Sequence, residues 1–334
     1  MTCLVSGLVI AFGKESMLEE CVGSLQRALA RVPGRSELVI VLNRISDHAR
    51  RELESARPDA VLVGPPRNLG FAGGVDAGIV EARGEWIVLV NDDCIVEPDA
   101  LVELLAAARS RDDVGSVAGQ VRFAGNPGTI NSAGLELDEL GVASERLLGA
   151  PVASAGTEVA EVFGATGALA AYRRSMLDAA GGFDSSFFAY LEDADLAWRA
   201  RMLGWRCLYA PGAVAHHHHS ATLGHASAAK HFLVGRNRVR MIAKNATTAH
   251  LRRRAAAMLA YDFAFVVFVA VRRRTLAPLR GRVRGLREWR AYRAAGEGHR
   301  RAVPFAPPGG LRQALRRNRI YSVVSAGDVA GERR

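Results

Sequence analysis

Two adjacent carboxylates, Asp92 and Asp93, directly follow an apolar and mostly β-branched run at 86–90. A run of this length predicts a strand that is buried on both faces. Carboxylates at the carboxyl end of such a strand lie where open α/β sheets bind ligands, and their oxygens suit Mg²⁺ or Mn²⁺ carrying a diphosphate. A polar turn before a helix that starts near Pro98 and Asp99 also fits this segment, so the pattern leaves both interpretations open.

A second acidic group, Glu192, Asp193 and Asp195, lies at the start of a predicted helix that Gly204 ends. Carboxylates in the first turn of a helix are stabilised as anions by the helix dipole and the free backbone amides. Capping needs one or two such residues. Three of them, following the aromatic residues at 187, 188 and 190, exceed that need, so we expect a functional role for this group.

Four consecutive histidines, at 216–219, follow a predicted strand at 205–209 and a predicted turn at Pro211 and Gly212. One imidazole from this run could complete an oxygen-rich metal site. The alternative is a polar loop whose histidines are solvated. We expect that state for at least two of the four.

A glycine-rich segment at 67–78 opens a helix that we predict to end at Ala82. Its glycines permit close approach of the backbone, and backbone amides at a helix start can face a phosphate. The glycine spacing differs from the dinucleotide-binding fingerprint. A plain tight turn is an equal alternative for this segment.

The elements that must position these residues alternate between strands and helices, which predicts an α/β fold with a parallel sheet. Periodicity predicts strands at 4–12, 37–42, 60–63, 86–90, 114–123 and 205–209, and helices at 16–31, 48–55, 99–110, 174–180, 192–203 and 230–243. Residues 125–158 have no clear period. Residues 161–172, which include Gly167, are predicted to form a strand or an extended segment that enters a site.

The basic charge of the chain is concentrated at its carboxyl end. The formal net charge is +10, but residues 251–334 carry 20 arginines and 5 acidic residues, whereas residues 1–250 carry 24 basic and 29 acidic residues. A basic tail can bind anionic lipid, nucleic acid or a phosphorylated acceptor. Few aromatic residues are interleaved with the arginines, which argues against nucleic acid as a partner.

An apolar segment at 255–271 contains Asp262 and lies between two arginine triplets. Its length barely reaches the lower limit for a membrane-spanning helix. We therefore expect a helix that lies in the membrane interface or packs against the preceding domain, and a disordered carboxyl end. The first strand does not resemble a signal peptide, and the scattered cysteines fit a reducing cytoplasm.

Taken in order, these segments resemble a family 2 glycosyltransferase of the GT-A fold, especially the bacterial rhamnosyltransferase type. The resemblance covers roughly residues 4–245. It rests on Asn68-x-Gly70-Phe71-Ala72-Gly73-Gly74, Asn91-Asp92-Asp93, Gly181-Gly182-Phe183-Asp184, Phe188-x-Tyr190-x-Glu192-Asp193-x-Asp195-Leu196-x-x-Arg199, the histidine run and Arg236-Asn237. Each motif is modest alone, but their order and spacing together are highly specific.

The resemblance implies a GT-A nucleotide-sugar-binding domain at 1–245, with a mostly parallel central sheet flanked by helices. Beyond the resemblance, the charge and the apolar run predict a basic, partly apolar, membrane-associating helical extension at 246–334. The implied reaction is inverting transfer of a sugar, such as rhamnose, from a dTDP- or UDP-sugar to a hydroxyl of a lipid-linked or polysaccharide acceptor. Mg²⁺ or Mn²⁺ would bridge the donor phosphates. Such an enzyme works in the cytoplasm, on the inner face of the plasma membrane.

The resemblance also implies roles for individual residues. Asp193 matches the catalytic base, Asp93 matches the metal-binding acid, and His217 matches the histidine that approaches the metal, with His216 as the alternative register. The donor-side positions are Asn43, Arg67, Asn68, Gly70, Gly73, Gly74, Asn91 and Asp92. The acceptor-side or supporting positions are Gly167, Glu192, Asp195, His216, Arg236 and Asn237.

Three departures from the family pattern fall on the pocket for the nucleotide base. Leu42 precedes Asn43, Gly13-Lys14 follows the first strand, and Cys94 stands where threonine is common. They leave the identity of the nucleotide open. The positions that match the metal-binding acid and the catalytic base are intact. Two alternative functions remain. One is a sugar nucleotidyltransferase, for which the segment after the first strand has too few basic residues and glycines. The other is a non-catalytic nucleotide-sugar-binding protein, for which Leu42 is the argument.

Overall fold

A computed structural model describes residues 4–12, 15–218, 227–310, 315–316 and 320. The strands are β1 Val5–Phe12, β2 Ser36–Arg44, β3 Val61–Val63, β4 Trp86–Asn91, β5 Cys94–Val96, β6 Val114–Phe123, β7 Asn126–Ser132, β8 Leu135–Leu137, β9 Ala143–Glu145, β10 Ala160–Val162, β11 Leu169–Arg173 and β12 Arg206–His217. The helices are α1 Glu15–Leu29, α2 Asp47–Ala56, α3 Gly70–Glu81, α4 Ala100–Ala108, α5 Arg174–Ala180, α6 Glu192–Met202, α7 Ala228–Asn245, α8 Thr248–Arg273, α9 Ala277–Arg287 and α10 Trp289–Ala295. The predicted disordered end lies outside the described residues.

The central sheet is mixed, with a parallel half that follows the predicted alternation of strands and helices. Strands β3, β2, β1 and β4 lie side by side and are parallel. The sheet continues through β11, β6, β12 and β10. β11 is antiparallel to both β4 and β6, whereas β6 and β12 are parallel. The predicted α/β class is confirmed, and the carboxyl ends of β1, β2 and β4 meet at one edge of the sheet.

The predicted turn at Pro211 and Gly212 is wrong, because β12 runs through both residues to His217. Its register on β6 shifts between Ala210 and Val214, which marks a bulge. A bulge accommodates glycine, and proline without its amide hydrogen, so the strand does not end there. His217 therefore lies on a strand that pairs with β5 and β6, and not in a loop.

Helices cover both faces of the sheet. On one face, α1 and α4 pack against it through fully buried side chains such as Leu25 and Leu101. On the other face, α3, α5 and α6 do so through Val75, Met176 and Leu196. This two-sided cover explains why β4 is apolar along its whole length, as the sequence predicted.

Residues 125–158, which have no period in the sequence, form a small antiparallel lobe. β7 pairs with β6, and β8 pairs with β9. Isolated bridges join Thr129 to Pro151 and Leu135 to Gly164. Because β8 and β9 are only three residues long each, neither is long enough to produce a recognisable alternation.

The carboxyl-terminal helices are joined to the preceding domain. Asp262, on the apolar helix α8, pairs with Arg238 on α7 and with Arg282 on α9. An apolar cluster that includes Trp198 and Met241 packs α7 and α8 against α6. In the described part of the chain, α8 is the one helix that is long and apolar enough to cross a membrane, and 28% of its apolar window is buried. The extension therefore shares a core with the residues before it.

Candidate active site

The ends of β4 and β12 bring Asp93 and His217 together. His217 Nε2 lies 2.9 Å from Asp93 Oδ1, and both side chains are buried. The backbone N–H of His218 donates to the carbonyl of Asp93 at 2.9 Å. Burial favours the neutral imidazole, but the adjacent Asp93 carboxylate outweighs burial and raises the pKa of His217. The two residues that were predicted to hold a metal thus form one preorganised pair.

The chemistry of this pair fits a hard divalent cation. Asp93, Cys94 and His217 each place a potential ligand atom within 4.8 Å of the others. The Cys94 sulfur is a soft ligand, which Mg²⁺ and Mn²⁺ disfavour in comparison with oxygen. His217 Nδ1–H donates to Asn131 Oδ1 at 2.9 Å, which directs Nε2 toward Asp93. The remaining carboxylate oxygen and imidazole nitrogen suit Mn²⁺ or Mg²⁺.

Asn91 and Asp92, beside this pair, occupy the predicted donor side. Asp92 Oδ2 accepts a hydrogen bond of 2.7 Å from the amide of Phe12, which ties the end of β4 to the end of β1. Burial raises the pKa of Asp92 to about 7. Asn91 Oδ1 is buried and lacks a hydrogen-bond partner within the described ranges. A buried polar atom of this kind calls for an explanation, and a bound donor would provide one.

Two amides at the start of α3 already have partners within the protein. The Leu69 N–H donates to Asn43 Oδ1 at 2.8 Å, and the Gly70 N–H donates to Asn68 Oδ1 at 2.8 Å. Asn43 Nδ2 also donates to the Gly70 carbonyl at 3.0 Å. The expectation that the amides of this turn face a phosphate is therefore wrong for these two. Asn43 and Asn68 fix the turn instead.

Gly70 permits a close contact between α3 and the loop before α6. Its φ is +71°, and a Cβ there would lie 2.3 Å from the Phe188 carbonyl oxygen. The same oxygen accepts a hydrogen bond of 3.2 Å from the Ala72 N–H. Any larger residue at position 70 would push this loop away from the helix, so the glycine brings the donor turn and the acidic helix together.

The remaining donor-side positions differ in what they contact. A Cβ on Gly73 would lie 3.0 Å from Leu69 Cβ, and a Cβ on Gly74 would lie 2.8 Å from Ile10 Cγ2. These glycines therefore let α3 pack closely on its own first turn and on β1. Arg67 is exposed and has no ion pair within the described residues, so the predicted donor contact is compatible with its position.

Glu192 and Asp193 lie side by side at the start of α6. Asp193 accepts a hydrogen bond of 2.7 Å from the Ala194 N–H and is only partly buried. Burial raises the pKa of both carboxyls, and the rise is larger for Glu192, which also faces the charge of Asp193. Glu192 Oε2 is buried and unpartnered among the described residues. Burial therefore favours the protonated form of Glu192 more strongly than that of Asp193, whose carboxylate is partly exposed.

Asp195 supports α6 and does not face the site. Its fully buried carboxylate accepts from Arg199 Nε at 2.8 Å and from Asn245 Nδ2 at 2.7 Å. It also pairs with Lys244 Nζ at 3.1 Å. These contacts join α6 to α7. Of the two roles predicted for Asp195, the structure favours support.

Asn237, on α7, holds the loop that leads into Asp193. Phe188, Tyr190 and Leu191 have φ values of 66°, 72° and 69°, a region that such residues rarely adopt. Asn237 is fully buried, and its Nδ2 donates to the carbonyls of residues 187, 189 and 190 at 2.8–2.9 Å. Arg236 donates to the carbonyls of residues 186 and 187. The Arg236-Asn237 motif therefore has a positioning role.

Replacing Asn237 with alanine is expected to lower the free energy of unfolding by about 2–4 kcal/mol, because three buried carbonyls lose their donor. Equilibrium urea denaturation measures the change. Asn126→Ala, at an exposed asparagine on β7, is the matched control and should remain within about 0.5 kcal/mol of the unmodified protein. An equally small change for Asn237→Ala would refute the positioning role.

The segment between β10 and β11 lies between the two acidic groups. A Cβ on Gly164 would lie 2.4 Å from Ala197 Cβ, which is one helical turn after the base candidate on α6. A Cβ on Gly167 would lie 2.6 Å from the ring of Phe71, in the first turn of α3. The Ala168 carbonyl accepts from the Asn91 N–H at 3.4 Å. One strip of small residues therefore contacts α6, α3 and the end of β4.

A third carboxylate, Glu145, connects the two groups electrostatically. After burial, the charges of Asp193 and Glu145 contribute to the raised pKa of Tyr172. The charge of Glu145 also contributes to the raised pKa of His217. Ser132 Oγ donates to Glu145 Oε2. The predicted base and the predicted metal ligands are therefore within electrostatic reach of common neighbours.

Sequence reasoning missed Asn131 and Glu145, because both lie in the stretch without periodicity. The run Gly125-Asn126-Pro127-Gly128 directly after β6 is a turn signal. It could have predicted the hairpin of β6 and β7 that places Asn131 beside His217. No comparable signal marks Glu145.

The other histidines of the run have different surroundings. His216 Nε2 lies 3.0 Å from Glu97 Oε1 in a partly exposed pair. This pairing favours His217 over the alternative register for the metal. His218 is exposed, as expected for part of this run. His219 lies outside the described residues.

Residues 5–241 match the family described as "Glycosyltransferase like family 2". The uncharacterized protein y4gI of Sinorhizobium fredii is 32% identical over 187 residues, which cover 54% of this chain and 19% of that protein. The N-acetylglucosaminyl-diphospho-decaprenol L-rhamnosyltransferase of Mycobacterium tuberculosis is 42% identical over 52 residues, which cover 16% of this chain and 17% of that protein. The aligned parts therefore span less than a fifth of these relatives.

A solved structure shares the architecture. The mannosyltransferase PcManGT from Pyrobaculum calidifontis, in complex with GDP-Man and Mn²⁺, superimposes with a TM-score of 0.53 at 18% identity. The match covers 86% of this chain and 88% of that one. At this identity the likeness concerns the fold, which is the GT-A fold expected from the motifs. The family match and the fold together show that the chain belongs to glycosyltransferase family 2.

Proposed function

We propose that the protein is an inverting, metal-dependent glycosyltransferase that uses a nucleoside-diphosphate sugar as its donor. Two carboxylates with different surroundings, Asp93 and Asp193, carry this proposal. Asp93 is buried against His217, whereas Asp193 is partly exposed at the start of α6. The first arrangement suits a cation, and the second suits a base that an acceptor can reach.

Asp193 takes the proton of the acceptor hydroxyl. As the hydroxyl oxygen forms its bond to the anomeric carbon, the bond from that carbon to the diphosphate oxygen breaks, and its electron pair leaves with the nucleoside diphosphate. Attack opposite the leaving group inverts the anomeric configuration. The Ala194 N–H and the helix dipole favour the ionised form of Asp193. Burial favours the protonated form of Glu192, which limits the like charge beside Asp193.

Asp93 and His217 are the residues that would hold Mg²⁺ or Mn²⁺, with Asn131 orienting the imidazole. When bound, such a cation supplies positive charge that stabilises the departing diphosphate, so that no general acid is needed. The Mn²⁺ named in the PcManGT complex supports this choice. Asn43 and Asn68 hold the turn on the donor side, and the buried Asn91 Oδ1 is the unpartnered acceptor there.

Rhamnose from a dTDP- or UDP-sugar is the donor group that we propose, and a lipid-linked or polysaccharide precursor is the acceptor. The support is the short match to the M. tuberculosis protein, whose name gives a diphospho-decaprenol substrate and rhamnose. The succinoglycan biosynthesis protein ExoO of Rhizobium meliloti, 36% identical over 89 residues that cover 26% of this chain and 25% of that protein, supports a role in polysaccharide synthesis.

Calorimetry with dTDP- and UDP-sugars, with and without Mn²⁺, tests the donor, and an assay for released nucleoside diphosphate tests the transfer. A glycosyltransferase binds one of these donors in a metal-dependent manner and releases nucleoside diphosphate when an acceptor is added. Release of pyrophosphate would indicate a nucleotidyltransferase. Metal-dependent binding without any release would indicate a binding protein.

An exposed apolar stripe on α8 and α9 supports attachment to the cytoplasmic face of an anionic membrane. On α8 it consists of residues four positions apart, of which Phe263 and Val271 are 73% and 72% exposed. The whole stripe is Leu259, Phe263, Val267, Val271, Leu279, Val283 and Leu286. Exposed arginines flank it at 252, 253, 272–274, 280 and 287. Apolar side chains rimmed by arginine match the interface of an anionic bilayer.

Replacing Phe263 and Val267 with glutamate is expected to weaken binding to vesicles containing phosphatidylglycerol about tenfold or more, because two apolar contacts are lost and two negative charges are added. Vesicle sedimentation measures the bound fraction. Val80→Glu, at a position on α3 that is 79% exposed, is the control and should bind like the unmodified protein. Equal sedimentation of the double variant and this control would contradict membrane docking through the stripe.

A further inference from the structure

Arg122 and Arg146 carry charges that no carboxylate of the described residues neutralises. Arg122 Nε donates to Gln120 Oε1 at 2.7 Å. Arg146 Nη1 donates to a backbone carbonyl at 3.4 Å, and its Cζ lies 5.2 Å from the centroid of the Tyr209 ring. Both residues are partly buried. Among the other partly buried arginines, Arg201 pairs with Glu161, whereas Arg173 and Arg174 donate to backbone carbonyls.

Tyr209 and Gln120 join these two arginines into one cluster. Gln120 Nε2 donates to Tyr209 Oη at 2.6 Å, so the tyrosine hydroxyl hydrogen is left to donate elsewhere. Burial raises the pKa of Tyr209, and the charges of Arg146 and Arg122 oppose that rise. Two guanidinium groups and a hydroxyl therefore lie within reach of one another, all with hydrogen atoms to donate.

The cluster lies on the half of the sheet away from the donor turn. The donor-side residues follow β1, β2 and β4, and β11 separates these strands from β6 and β12. Arg122 is the register partner of His216 on β12, next to the predicted metal ligand. Arg146 directly follows β9, in the lobe that also contains Asn131, the partner of His217. Tyr209 packs in the same apolar cluster as Leu196 of α6, so the arginines lie on the side of the base.

We propose that Arg122 and Arg146, which are partly exposed and contact the buried pair of Tyr209 and Gln120, bind a phosphate or diphosphate group of the acceptor. Guanidinium groups form paired hydrogen bonds to phosphate oxygens, and an unneutralised pair of them in a partly buried position attracts a dianion strongly. This inference rests on the proposed function, because it takes the base side of the site as the acceptor side. It assigns the acceptor to the phosphate-bearing class and excludes a neutral glycan end.

Binding of geranyl monophosphate in the presence of EDTA tests the proposal without the donor or the metal. We expect Arg122→Gln and Arg146→Gln each to weaken binding severalfold and the double variant about tenfold or more. Arg173→Gln is the matched control, because Arg173 also lies 5.2 Å above an aromatic ring, that of Trp86, but at the opposite edge of the sheet. It should bind the probe like the unmodified protein.

Three further measurements distinguish the possible outcomes. Geraniol, which lacks the phosphate, should bind all variants equally weakly. Sedimentation with phosphatidylglycerol vesicles should be unchanged in the double variant; its loss would assign the arginines to lipid headgroups and overturn the proposal. Equal binding of geranyl monophosphate by the double variant and by Arg173→Gln would also overturn it. Donor binding is measured separately in Mn²⁺, so a failure of the glycosyltransferase assignment appears there and not in this assay.

Discussion

Replacing Asp193 with asparagine is expected to lower kcat by about three orders of magnitude, because the amide cannot accept the acceptor proton. The affinity for the donor should remain, since Asp93 and the donor turn are unaltered. Measuring nucleoside diphosphate release beside the dissociation constant of the donor separates the two quantities. A variant that keeps near-normal turnover would contradict the role of Asp193 as base.

Glu192→Gln is the matched control for this variant. Burial raises the pKa of Glu192 and so favours its protonated form, which an amide resembles. We expect Glu192→Gln to keep most of the turnover at pH 7. If instead Glu192→Gln is inactive and Asp193→Asn is active, the roles of the two carboxyls are reversed.

The pH dependence of kcat/KM reports the same group. Burial raises the pKa of Asp193 above that of an ordinary aspartate, and the base works only when ionised. Activity should therefore fall as the pH decreases through this raised pKa, at a higher pH than an ordinary aspartate would give. The residual activity of Asp193→Asn should lack this acid limb.

Replacing Asp93 with asparagine is the second change with a large expected effect. Asparagine retains the size of the side chain but removes the charge that a divalent cation needs. Loss of stabilisation of the departing diphosphate is worth several kcal/mol, which corresponds to about two to three orders of magnitude in kcat/KM. Mn²⁺ titration followed by electron paramagnetic resonance should show weakened binding in parallel.

His216→Ala is the matched control for the metal site. His216 belongs to the same histidine run but pairs with Glu97 at 3.0 Å, whereas His217 faces Asp93. We expect His217→Ala to weaken Mn²⁺ binding and His216→Ala to leave it nearly unchanged. The opposite result would restore the alternative register.

Much of the half of the sheet formed by β1 to β4 could be predicted, because its strands are continuous apolar runs that end in polar residues. β4 and Asp93 are the clearest case, since burial on both faces leaves no polar residue before the strand end. The helix that begins at Glu192 could also be predicted, from its acidic first turn. For elements of this kind, the local sequence alone indicates which residues are buried and where the element ends.

The half of the sheet formed by β6 and β12, together with the lobe at 125–158, could not be predicted in the same way. Proline and glycine at 211 and 212 suggested a turn, but pairing with β6 absorbs them in a bulge. Strands of three residues in the lobe at 125–158 depend on their partners and not on an internal pattern. Asn131 lies within hydrogen-bond distance of His217 because of a hairpin that the sequence periodicity did not predict.

The sequence singled out two motif residues for reasons that differ from the roles they have in the structure. The glycines at 70–74 were expected to permit close backbone approach, with a bound phosphate or a plain tight turn as equal alternatives, and Gly70 approaches the backbone of Phe188. Asn237 was recognised only as part of a motif, and its three hydrogen bonds to a strained loop became visible in the structure. Such roles depend on contacts between distant segments, which local sequence does not encode.

Carboxyl-¹³C nuclear magnetic resonance of aspartate-labelled protein with bound Mn²⁺ tests most directly whether Asp93 and Asp193 face one cavity. Mn²⁺ broadens nearby resonances, and the Asp193 signal is identified by its absence in Asp193→Asn. If the two carboxylates face one cavity, Mn²⁺ broadens the Asp193 signal in the unmodified protein but not in Asp93→Asn, while Asp113, at the opposite edge of the sheet, stays sharp in both. A sharp Asp193 signal with Mn²⁺ fully bound would contradict the shared cavity.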